Sequence, residues 1–173
     1  MAWLRRTLDR LYLGCGILAC CFLASIALLV VLQVVSRLAG FLMVGLIDYA
    51  TYAMVASCFL GLALALKRGA HIRVGLLTGL ASPAAKRWLE VLALAVGSAV
   101  MAYLAWFLFL LTRDSYDFGF RALGLAATPL WIPQAGMTGG AAVAALAFLD
   151  ELVRVLAGRR PSYDSAEPSV RGE

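Results

Sequence analysis

Apolar and polar positions fall into long blocks along this chain. Leu11 to Val35 carries no charge, Phe41 to Leu66 carries only Asp48, and neither Val91 to Leu111 nor Pro129 to Leu149 carries any. As a helix the first block would be about 38 Å long, enough to cross a bilayer with tilt. The pattern predicts an all-α integral membrane protein with four transmembrane helices, at about residues 11–35, 41–66, 88–111 and 130–152. Residues 1–10 form a polar N-terminus, 11–157 the membrane domain, and 158–173 a tail expected to be disordered. The basic start resembles a signal peptide, but the apolar run is far longer than the roughly 7–15 residues of such a segment, so an uncleaved span is expected.

Charge gives these spans an orientation. Four crossings put both termini on one side, together with the central polar stretch Lys67–Glu90. That side collects 12 of the 15 basic residues, and Arg37, Arg113 and Arg121 are left on the other. Basic residues stay cytoplasmic, so the N-terminus, central loop and C-terminus are expected inside. Within the loop, Ile72, Leu76, Leu77 and Leu80 share one face of a possible short helix lying on the membrane surface. Ser82-Pro83 reads as a helix start.

Composition supports the membrane reading. Hydrophobic residues make up 63% and charged residues 14%, against about 25% charged in a soluble domain. The net charge of +5 is gathered at block ends rather than in a basic patch interleaved with aromatics, so nucleic acid is not the expected partner.

Little in the chain suggests reaction chemistry. Cys15, Cys20, Cys21 and Cys58 lie inside apolar blocks without a CxxC spacing, which argues against a disulfide framework or a zinc site. The single histidine, His71, is in the central loop, so a bis-histidine haem between spans is excluded. No cofactor and no enzymatic activity are expected. Two stripes of small residues do stand out: Ala53, Ser57, Gly61 and Ala65, and Gly136, Gly140 and Ala144. Such stripes suit close helix packing, within the chain or against another subunit. Asp48 has two candidate partners, Arg37 across the first turn or a basic residue of a neighbouring protein.

Two stretches carry a family resemblance. The first is Phe59-Leu60-Gly61 leading into Lys67-Arg68-Gly69-Ala70-His71-Ile72-Arg73-Val74, with Leu76-Leu77 and then Arg87-Trp88-Leu89-Glu90. The second is Thr128-Pro129-Leu130-Trp131-Ile132-Pro133-Gln134, followed by Gly140. In order and spacing they resemble the DctQ-type small membrane subunit of tripartite ATP-independent periplasmic (TRAP) transporters, over about Leu11 to Leu156. Gly75 stands where members often carry an acid, and Asp48 stands alone where an acidic pair is common.

The resemblance implies a bacterial inner-membrane protein that works with a large membrane subunit and a periplasmic substrate-binding protein. It implies ion-gradient-driven uptake of an organic acid, with transport sites and elevator motion in the large subunit and a bracing role for the small one. Subunit-interface candidates are then Asp48, Ser57, Gly61, Arg68, His71, Gly136 and Gly140. Candidates for meeting the binding protein are Arg37, Asp114, Asp117 and Arg121, on the Ser36–Gly40 turn and the Thr112–Thr128 connection. Two alternatives come from other classes. A DsbB-like thiol oxidoreductase needs cysteine pairs in the outward loops, and these contain none. A small drug exporter needs an acid deep in a span, and Asp48 sits near an end.

Overall fold

The computed structural model describes residues 2–41, 43–68, 83–124 and 126–158. Four helices account for most of them: α1 (Ala2–Leu38), α2 (Leu46–Lys67), α3 (Pro83–Asp117) and α4 (Trp131–Leu156). Three are long and apolar enough to cross a membrane by length and composition, over Arg5–Leu38, Leu46–Lys67 and Arg87–Asp117. His71, Arg73, the surface helix expected over Ile72–Leu80, the Ser82 cap and the tail past Gly158 lie outside the described residues.

Two helices outrun their apolar blocks. The helical signal in Met1–Arg10 and in Pro83–Glu90 is polar, and a backbone can continue its hydrogen-bond ladder through such residues once the apolar block has nucleated it. Hence α1 has 37 residues and α3 has 35, or about 55 Å and 52 Å of helix against a hydrocarbon core of about 30 Å. The stops are glycine-encoded. Gly40 at φ 79° and Gly119 at φ 65° each follow a helix end. In both cases the next residue's N–H reaches back five positions, Phe41 to Ser36 and Phe120 to Ser115. This closure needs a left-handed residue, which glycine adopts without strain. The second block, expected to be helical from Phe41, becomes helical only at Leu46.

The helices form a row rather than a closed square. α1 packs on α2, α2 on α4, and α4 on α3, while α1 barely touches α4. The last helix in sequence is therefore central, and α1 and α3 are the outer members. The buried seams are built largely from alanine: Ala19, Ala53, Ala56, Ala63, Ala141, Ala144, Ala145 and Ala147. Small side chains bring helix backbones together, and dispersion contacts then do the holding. The outer surfaces carry large apolar side chains, such as Leu28, Val31, Leu92 and Trp106, all more than half exposed. Water would not tolerate so much contiguous apolar surface; lipid or another membrane protein would.

Candidate functional site

Polar groups cluster at the two ends of the row. At one end Lys67, the last residue of α2, forms ion pairs with Asp150 and Glu151 of α4, the Glu151 contact measuring 2.8 Å. Glu151 is fully buried and the Lys67 side chain is only 11% exposed. The Lys67 ammonium also lies 5.1 Å from the centre of the Tyr12 ring of α1, itself buried. One charge thus joins three helices, with a desolvated cation on an aromatic face. Beside it Arg87 of α3 donates to the carbonyls of Val155 and Leu156 at 3.4 and 3.5 Å. Both carbonyls belong to the last turn of α4; Val155 O also accepts the Gly158 N–H at 3.0 Å, and the guanidinium adds a cation that opposes the helix dipole. In the sequence Lys67 and Arg87 stand out only as basic residues of the central polar stretch, and no local motif there pairs Lys67 with Asp150 or Glu151. A signal was available: two apolar blocks that end at the same depth, one in Leu66-Lys67 and the other in Asp150-Glu151.

At the opposite end the connection from α3 to α4 folds back on itself. Ala122 N–H donates to Thr128 O at 2.9 Å, Leu130 N–H donates to Phe120 O at 3.0 Å, and Arg121 bridges Pro129 in antiparallel fashion. Asp48, in the first turn of α2, holds this loop: its carboxylate accepts the Ala126 N–H at 3.2 Å. The approach is close because Gly124 lies directly against the carboxylate and Gly45 against Ala126. A Cβ on Gly124 would sit 2.8 Å from Asp48 Cγ. The acid also gains from the positive end of α2. Asp48 is therefore a loop anchor; the Arg37 guanidinium is exposed at the end of α1. Removing the acceptor with Asp48→Ala should open this loop. Tryptic cleavage after Arg121 should rise about tenfold, the scale set by losing a hydrogen bond to a charged group, and Asp48→Asn should change it far less.

The middle of the row is joined by small contacts. Ser57 of α2 donates to Ala19 O of α1 at 3.0 Å, and Gly61 faces Ala19. Gly136 faces Ala56, and Gly140 lies against the backbone of Phe59 and Leu60. Between α3 and α4 the hydroxyls of Thr112 and Thr138 share a hydrogen bond of 2.8 Å. The two small-residue stripes thus make contacts inside the chain. Arg68 is the exposed residue that follows α2. Asp114 and Asp117 are exposed in the last turn of α3, where Arg113 pairs with Asp117 at 3.5 Å. Arg121 is exposed on the loop. The four cysteines are free thiols on α1 and α2. Among the described residues no group of three or more His, Cys, Asp and Glu side chains converges as a metal site would require.

A family model described as the DctQ component of tripartite ATP-independent periplasmic transporters matches residues 26–158. The chain belongs to the DctQ family. The match covers about three quarters of the sequence and includes both clusters, from the Asp48 anchor to the Lys67–Asp150–Glu151 ion pairs. Comparison with curated protein sequences gave no match. As a DctQ component the chain is a membrane protein of a tripartite transporter, a system that also includes a large membrane subunit and a binding protein. Its polar residues tie its own helices together at both ends and at mid-height.

Proposed function

We propose that this DctQ chain is a rigid brace for the large, elevator-type subunit of its transporter, in the bacterial inner membrane. The observation that carries this reading is where its interior polar groups go. Lys67, Glu151, Asp48, Ser57 and Thr112 all bind other parts of the same chain. A unit fastened in this way suits holding a neighbour's scaffold still while another domain of that neighbour moves. α4 lies between α2 and α3, both long and apolar enough to cross, which supports counting it as a fourth span. The distribution of basic residues then favours cytoplasmic termini. Uptake of an organic acid driven by an ion gradient, commonly sodium, follows from the family resemblance.

Co-expressed with a tagged large subunit, this chain should co-purify in detergent. Vesicles should need both proteins and the binding protein for uptake. Solute movement by this chain alone would overturn the reading.

The exposed charges at the Asp48 end are proposed to meet the binding protein, together with the Arg37 turn. Replacing Asp114, Asp117 and Arg121 with alanine should weaken binding-protein affinity about tenfold, since rim charges contribute up to about 1 kcal/mol each. An unchanged affinity in a surface-binding assay would remove this surface from consideration.

A further inference from the structure

Several hydroxyl groups on these helices are satisfied within their own helix. Ser25, Ser36, Thr51 and Ser98 each donate to a carbonyl three or four residues earlier in their own helix; Thr112 and Thr138 bond to each other, which leaves one of their two protons for a carbonyl of its own helix. This is how a hydroxyl is accommodated where no water is available. Most of the exposed indoles and phenols on the helices sit near helix ends. Trp3, Tyr49, Trp88, Tyr116 and Trp131 all lie within two turns of a helix end, where amphipathic rings meet the headgroup layer.

Tyr103 and Trp106 are exposed yet lie far from either end of α3. The uncharged part of α3 runs from Val91 to Thr112. Tyr103 is about 18 Å along the helix from the first and about 14 Å from the second. Tyr103 is 67% exposed and Trp106 60%. The Tyr103 ring packs on Phe107 at a tilt of 42°, with centroids 4.5 Å apart, and Trp106 lies against Phe109 at 6.3 Å. The Tyr103 hydroxyl meets no hydrogen-bond partner among the described residues. A phenol and an indole thus point outward at mid-membrane depth, where lipid tails neither accept nor donate.

We infer that the outer face of α3 around Tyr103, Trp106 and Phe107 is the docking surface for a helix of the large membrane subunit. That helix supplies a hydrogen-bond acceptor to the Tyr103 hydroxyl. The inference rests on the bracing role proposed above and names the surface that performs it. Exposed Tyr and Trp are the residues in which interface energy concentrates. A second copy of the chain is a poorer occupant. The other outer faces offer aliphatic or small side chains at that depth, Leu28 and Val31 on α1 and Ala142 and Leu146 on α4. The outer face of α1 has the character of a lipid surface and serves as the control.

The test places a benzophenone amino acid at Tyr103, at Phe107 or at Leu28 in the chain co-expressed with its tagged large subunit, then irradiates intact membranes. The expected result is an adduct with the tagged subunit from positions 103 and 107, and at least tenfold less from 28. In the same complex Tyr103→Phe should lower the fraction retained on the tagged subunit in detergent about threefold, the scale of one interhelical hydrogen bond in a membrane. Adducts from 103 and 107 with lipid alone, with a second copy of the chain, or no more abundant than from 28 would overturn the inference. They would leave the bracing role intact as long as the wild-type chain still co-purifies. Failure of the wild-type chain to co-purify would instead overturn the bracing role, and this surface with it.

Discussion

Lys67→Ala should lower the melting temperature of the purified chain by roughly 10 °C, the largest loss expected from any single side chain. Removing one member of a buried ion pair costs about 3–5 kcal/mol, because the other member stays desolvated while losing that counter-charge. Here the alanine leaves two adjacent carboxylates at one helix end, with Glu151 fully buried. It also takes the cation from the Tyr12 face and so unfastens α1 as well as α2. A second substitution separates charge from packing. Lys67→Met with Glu151→Gln removes the buried pair together, leaves the partly exposed Asp150, and should recover most of the loss. Thermal denaturation in detergent, followed by the monodisperse fraction, checks both variants. A melting temperature for Lys67→Ala equal to that of the unaltered chain would mean that the ion pairs do not hold the row together.

Gly140→Leu should be nearly as damaging, through shape alone. A Cβ at this position would lie 2.7 Å from the Phe59 Cβ and 2.8 Å from the Leu60 nitrogen. The obstacle is backbone, so it cannot rotate away, and α2 and α4 must separate. Overpacking of this kind costs about 1–3 kcal/mol and more for a larger side chain. The neighbouring glycines set the comparison. At Gly136 an added Cβ would sit 3.5 Å from Ala56, and at Gly139 it would meet nothing within 4 Å. Gly136→Ala should therefore be close to neutral. Gly139→Ala should be neutral or stabilising by up to about 1 kcal/mol, from helix propensity. Equal melting temperatures for Gly140→Leu and Gly139→Ala would show that the α2–α4 contact is looser than its geometry indicates.

The sequence made the helices legible and left their neighbours obscure. Apolar blocks without charge can hardly be anything but helices once a bilayer is the solvent. The ends were harder to read. Phe41–Val44 is as apolar as a helix, yet it sits between Gly40 and Gly45, both left-handed. Hydropathy counts side chains and overlooks such backbone punctuation. The small stripes of Ser57–Gly61 and Gly136–Gly140 were visible from spacing, but their partners were not. A smooth face records that something approaches and not what, and here both face other helices of the same chain. Asp48 shows the same limit. The residue it holds, Ala126, is 78 positions away in a stretch without periodicity, and its contact is a backbone N–H that any sequence would supply.

The order of the row bears on how the molecule is made. α1 and α2 are neighbours in both sequence and space, so they can pair as soon as both have left the ribosome. α3 emerges next and finds its main packing surface not yet synthesised, since it lies on α4. Translation must continue through Trp131–Leu156 before either half is joined to the other, and the final helix enters as a keystone between them. During that interval the inner face of α3, with Ser98 and Thr112, stands open in the bilayer. A chaperone or the insertion machinery would have reason to wait there.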